Sequence, residues 1–153
     1  MPILQNFFAE ATTKSTDELL KAYLNIPEDK RGWSPMGDAR SAIDQVAECA
    51  LISEFTVGII KNKAWPDNYD MAAFMTAKSD LAKDENALIA LLKENTAKTA
   101  EAIKKVTDED LGMVIHMMWG DHTISEVIAY QYWNASYHLG QINYIASMLG
   151  CLK

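Results

Sequence analysis

Residues 131–150 read QYWNASYHLGQINYIASMLG. The stretch has helical periodicity, and on a helix residues three, four, seven and eleven apart share a face. Stepping along that face gives Val127, Tyr130, Asn134, His138, Gln141 or Ile142, Ile145 and Leu149. The ends are apolar and the middle is polar. Polar groups on a buried face need partners. Asn134 and His138, four apart, aim their heads at one volume, as when one helix offers two ligands to a metal. A hydrogen-bonded core histidine fits the same pattern.

Working outward, the periodicity predicts four helices and little strand. The first covers about 3–24, with Pro27 just beyond and Trp33-Ser34-Pro35 continuing a loop. The second runs from about Ala39 to Lys61. The third, rich in Ala, Leu, Lys and Glu, runs from about Asp80 to Val106. The fourth runs from Thr123 to Leu149. Thr123 and Glu126 form a capping box at its start, and Gly150 suits its C-terminal end.

The links are long. NKAWPDNYDMAAFMTAKS (62–79) carries a short helix at Met71–Met75, and TDEDLGMVIHMMWGDH (107–122) has an apolar middle that packs back on the bundle. Links of this length can run from one end of a bundle to the other, so up-down-up-down wiring is not compelled. The expectation is an all-α protein, a four-helix bundle in one domain spanning 1–153.

A second helix has to meet the polar layer of the fourth. Glu48 is followed on its own face by Leu51, Ile52, Phe55 and Ile59, all apolar, so it is expected to face inward. An unpaired carboxylate there is costly, and it takes up a proton or finds a cation. Cys49 shares a face with Val46, Ser53 and Thr56, which is less clearly buried. Two outcomes stay open: a divalent-metal site, or a hydrogen-bonded layer in which the Glu48 carboxylate accepts from the imidazole and the Asn134 amide.

Other candidates carry less. His122 lies sixteen residues from His138, roughly 24 Å along a helix at about 1.5 Å per residue, so it cannot share that site. His116 has no partner at ligand spacing and is read as a packing residue. Met113, Met117, Met118 and Trp119 are read as core filling. Asn134-Ala135-Ser136 matches a glycosylation pattern, but its place on a helix makes the match accidental.

The 153 residues include 14 basic and 21 acidic side chains, a net charge of -7. An acidic surface without a basic stripe argues against nucleic-acid binding. Two cysteines, Cys49 and Cys151, make no CxxC motif or disulfide framework. No run of about 20 apolar residues suits a membrane span, and the first twenty residues have no signal-peptide pattern. The expected setting is cytoplasmic, with no membrane partner.

These features together resemble the DinB-like superfamily. The resemblance rests on Trp33-Ser34-Pro35, on SAIDQVAE from Ser41 to Glu48, and on Trp119-Gly120 with a following Thr before the fourth helix. Its most specific part is YHLGQ (137–141) leading to MLG (148–150). It implies an up-down-down-up bundle with a long crossover between helices two and three. Members commonly hold nickel or zinc through three histidines, one in helix two and two spaced by four in helix four. Some are thiol-dependent transferases or isomerases, others look like metal-dependent hydrolases, and dimers are frequent, so a homodimer is expected.

Only His138 keeps the family's ligand. Asn134 stands where the preceding histidine is expected, and an ungapped count from Ser41 puts the helix-two ligand at Glu48, or at Cys49 if shifted by one. An amide oxygen is a poor ligand for zinc or nickel. The set Glu48, Asn134 and His138 is therefore harder and charged, suited to manganese, iron or magnesium, or to weakly held zinc. The implied activity is that of a metal-dependent hydrolase or thiol-dependent transferase acting on a small molecule, with Trp33 and Tyr130 at the pocket wall. The alternative is a non-catalytic bundle with a structural polar layer, working through dimerisation, a partner or a small ligand.

Overall fold

The structure, a computed structural model, describes residues 2–153. Four long helices make the body: α1 (Ile3–Asn25), α2 (Ala42–Asn62), α4 (Glu85–Lys104) and α5 (Ile124–Met148). A shorter helix, α3 (Met71–Leu81), lies in the α2–α4 link, and an antiparallel hairpin, β1 (Val114–Met117) with β2 (Gly120–Thr123), precedes α5. Local chemistry sets the ends. Ser41, Asp70 and Asp84 cap α2, α3 and α4 by accepting backbone N–H groups. Thr123 and Glu126 make the expected capping box of α5, and Gly150 has φ 70°.

Side-chain contacts reveal the wiring. Asn95 donates to the Ala50 carbonyl at 2.9 Å, and the Thr99 hydroxyl, whose hydrogen goes mainly to the Asn95 carbonyl, lies 3.4 Å from the Ser53 carbonyl, so α2 and α4 run parallel. Gln5 Nε2, at the start of α1, donates to the Val106 carbonyl and to Asp108 beyond the end of α4, so those two run antiparallel. In α2 and α5 the pairs Gln45–His138 and Cys49–Asn134 run in opposite order along the two chains. The result is the up-down-down-up bundle, and α3 accompanies the crossover that lets α2 and α4 point the same way.

Two differences from the sequence reading concern the links. The short helix in the first link extends to Leu81, and α4 starts only after Asp84, because Asp84 ends one segment and caps the next. The second link is a hairpin with a two-residue turn at Met118-Trp119. Val114 and Ile115 favour extended backbone, Ile115 is buried, and Gly120 supplies φ 131° beside the turn. His116 is exposed and meets Asp121 across the strands at 2.7 Å, so its role is cross-strand pairing rather than packing. Met113, Met118 and Trp119 are likewise exposed instead of filling the core.

The interior is not uniformly apolar. One hydrophobic cluster surrounds Leu19, Tyr23, Leu88, Leu92 and Ile142; a second surrounds Ile59, Ile103, Ile115, Ile124 and Ile128. Buried polar side chains separate them, among them Thr12, Ser53, Thr56, Asn95, Thr99 and Asn134. Ser53 and Thr99 return their hydroxyls to carbonyls four residues back in their own helices. Among the described residues, no helix is long and apolar enough to cross a membrane.

Asn95 is the side chain that ties the parallel pair together. Asn95→Ala is expected to lower unfolding free energy by about 1–2 kcal/mol through loss of its buried hydrogen bonds, measured by urea denaturation.

Candidate functional site

The site begins at the first turns of α2. Arg40, Asp44 and Glu48 succeed one another at four-residue spacing, which places them along one side of the helix start. Glu48 is the hub. Its Oε1 accepts from His138 Nε2 at 3.0 Å, and its Oε2 meets Arg40 Nη1 at 2.7 Å. Arg40 also donates through Nε to Asp44, whose other carboxylate oxygen meets the buried Lys78 ammonium of α3 at 2.9 Å. Alternating charges thus run from Glu48 through Arg40 and Asp44 to Lys78, joining α2 to α3.

The second histidine nitrogen is occupied too. Nδ1 of His138 lies 2.9 Å from Gln45 Oε1, and Gln45 Nε2 donates to the Arg40 carbonyl, which turns the amide oxygen toward the ring. Both partners of the ring are side-chain oxygens, so neither ring nitrogen is left without a polar neighbour. His138 is 1 % exposed.

Asn134 and Cys49 form a separate pair. The Cys49 thiol donates to Asn134 Oδ1 at 3.2 Å, while Gln131 Nε2 donates to the Cys49 carbonyl. Both sequence registers thus lie in the layer: Glu48 meets His138 and Cys49 meets Asn134. Asn134 does not reach Glu48 as the sequence reading allowed. The face of Cys49, Val46, Ser53 and Thr56 is the more deeply buried one, whereas Glu48, Ile52 and Phe55 are half-buried and face a cleft. Gln141 is half-buried; its place in the layer is taken by Gln131 from the preceding turns and Gln45 from α2.

Burial alone pushes the Glu48 carboxyl up, but the His138 hydrogen bond and the Arg40 charge outweigh it and hold it at about 2. Burial and the Glu48 charge push the Cys49 thiol well up. Burial, followed by the Glu48 charge, raises Tyr130 as well. At neutral pH this leaves a fixed carboxylate, a protonated thiol and a protonated phenol.

Above Glu48 opens a cleft of about 470 Å³ between α2 and α5, rimmed by α3 and the hairpin. Tyr130 lines it, as expected, but Trp33 packs on the hydrophobic cluster at the other side of the layer. His122 lines the cleft with Glu126, 3.9 Å away, while His138 stays beneath Glu48.

The donor set does not fit a divalent ion in this arrangement. A ligating histidine presents a lone pair, and a ligating carboxylate a free oxygen. Here both imidazole nitrogens and both Glu48 oxygens are engaged, and the Arg40 guanidinium lies against the carboxylate as its cation. Among the described residues, no three His, Cys, Asp or Glu side chains converge as a metal-holding group. Gln45, Arg40, Asp44 and Lys78 complete the network beyond the sequence reading. The spacing of Arg40, Asp44 and Glu48 was a usable signal; nothing local marks Lys78.

Comparison with known proteins agrees with this architecture. Residues 11–142 match the sequence profile of the DinB superfamily. The chain belongs to the DinB superfamily. No curated protein matches the sequence. Among solved structures it is similar to YfiT from Bacillus subtilis, described as a probable metal-dependent hydrolase with an unusual four-helix bundle topology. The match has a TM-score of 0.79 and 13% identity, covering 95% of this chain and 87% of YfiT. At that identity the likeness establishes the shared fold.

The Glu48 carboxyl, normally near 4.5, is depressed in the folded protein, so its stabilisation is present above that value and is lost as pH falls toward about 2. After allowance for solvent screening of a half-buried group, the loss is expected to be about 1–2 kcal/mol. Chemical denaturation between pH 5 and 2 measures it against Glu48→Gln, in which this share of the pH dependence should vanish. An identical pH profile in the variant would contradict the assignment.

Proposed function

We propose that this DinB-superfamily protein binds a small molecule in the cleft above Glu48, with the Arg40–Glu48–His138 network standing where other members place a divalent ion. The observation that carries the reading is the full engagement of Glu48 and His138 directly below an open, aromatic-lined cleft. The layer is a hydrogen-bonded, ion-paired floor.

Its chemistry favours binding over proton transfer. A general base works best with a pKa near the operating pH, and a carboxylate held at about 2 is a weak one. The thiol of Cys49 is fully buried and raised, so it is a poor nucleophile for transferase chemistry. Glu48 and Arg40 act instead by keeping the floor ionised, ordered and closed to water from the bundle interior.

A metal-dependent hydrolase is the second reading, with zinc, nickel, manganese or iron at Glu48, Asn134 and His138. The observation that favours it is the position of Glu48 at the cleft floor, where a carboxylate is accessible from the substrate side. The two readings differ in one readily measured quantity. Protein purified without a His-tag and incubated with zinc, nickel or manganese is expected to retain well below one equivalent after desalting, by elemental mass spectrometry. Its melting temperature should be unchanged by a chelator. Stoichiometric metal that disappears in His138→Ala would overturn the metal-free reading and favour the hydrolase.

A further inference from the structure

The composition of the cleft narrows what it can hold. Phe55 of α2, Trp65 and Tyr69 of the following link, and Phe74 of α3 form a continuous aromatic wall, with centroid separations of 5.0–5.9 Å. Trp119 at the hairpin turn packs edge-on against Trp65 at 4.7 Å. Tyr130 and Trp133, 5.5 Å apart on α5, face the cleft from the remaining side. Met71, Met75 and Met117 fill gaps between the rings with polarisable, adaptable side chains.

The charges are one-sided. Glu126 and Glu48 line the cleft, Glu48 with its Arg40 and His138 partners below it; among the described residues no lysine or arginine lines it, and His122 is the sole basic side chain there. The Glu126 carboxylate accepts from the Thr123 N–H and from the Thr123 hydroxyl through Oε2, the same oxygen that approaches His122. Among the described residues no donor engages its Oε1, so this oxygen is available to a ligand. The Thr123 backbone N–H, followed by its hydroxyl, holds the Glu126 carboxyl below its usual range, which keeps it ionised at neutral pH. The Glu48 charge reaches the cleft wall too, since it helps raise both Tyr69 and Tyr130.

Aromatic faces carry negative quadrupoles and attract cations, ammonium groups above all, most strongly where water is excluded. An anionic ligand would meet carboxylates and π-faces with no arginine or lysine to receive it. A neutral one would gain only apolar burial.

From this geometry we infer that the cleft selects a small organic cation, a substituted ammonium carrying a flat or aromatic apolar group. The inference rests on the ligand-binding reading above and specifies its ligand class. The ammonium lies against the indole and phenol faces near Glu126 Oε1, while the apolar group fills the space lined by Phe55, Phe74 and the methionines. The net charge of -7 adds long-range attraction for such a ligand.

Isothermal titration of the full chain with three probes tests this: benzyltrimethylammonium, its neutral isostere neopentylbenzene, and benzenesulfonate. The cation is expected to bind about tenfold more tightly than the isostere, the size of a partly desolvated cation–π contribution, and the sulfonate not at all. Trp119→Ala, at an exposed hairpin turn, should weaken the cation several-fold. Glu126→Gln, which retains a capping-box residue, should weaken the cation and leave neopentylbenzene unchanged. Equal affinity for cation and isostere would overturn the charge selectivity while leaving a small-ligand cleft standing. Absence of binding by all three would remove the ligand-binding reading along with it.

Discussion

A carboxylate taken partly out of water has to be compensated, and the compensation of Glu48 organises the surroundings of this site. Its two oxygens are divided between α5, through His138, and the segment leading into α2, through Arg40. Satisfying both requires α2 and α5 to pass antiparallel in one register, the same register that brings Cys49 to Asn134 and Gln131 to the Cys49 carbonyl. A shift of one helical turn would separate all of these pairs and leave charged or polar groups buried alone, at several kcal/mol in total. The polar layer therefore acts as a register device, whatever else it does.

That device has a consequence for chemistry. The contacts that let Glu48 remain ionised inside the bundle also occupy both of its oxygens, which is what the proposed metal-free reading rests on. Arg40 supplies a permanent positive charge close to the carboxylate, and unlike a divalent ion it has no open coordination position for a substrate. The family fold is retained, and in the metal-free reading proposed above the polar layer is an ion network. The cleft above it is walled by α2 and α5 together with segments outside the four-helix frame: the α2–α3 link, α3 and the hairpin.

The polar band across the bundle fits the same picture. The apolar side chains form two clusters, and hydroxyls and amides from all four long helices separate them. An apolar band would offer more burial but less discrimination between neighbouring registers, because apolar contacts are not directional. The parallel pairing of α2 and α4 is marked by directional contacts of this kind, Asn95 to Ala50 and Thr99 to Ser53.

Much of this was legible along the chain. Helical periodicity, the capping box of Thr123 and Glu126 and the terminal Gly150 are local patterns, and each has the expected counterpart in the fold; Asn134 and His138 are buried polar positions but take separate partners. Glu48 was identified as a candidate partner because its neighbours at helical spacing are apolar. The hairpin was hidden because HMMW carries no alternation strong enough to separate strand from packed loop, and its cross-strand pair, His116 with Asp121, exists only once the turn is made. The division of labour between Glu48 and Cys49 could not be read either: adjacent residues on a helix point about 100° apart, and which of them meets His138 depends on how α2 is rotated against α5. Lys78 reaches Asp44 only because α3 folds back over the start of α2. Sequence patterns specified which residues need partners, since burial and ionisation are properties of side chains and their near neighbours. The identity of those partners came from packing helices remote in sequence at a particular rotation.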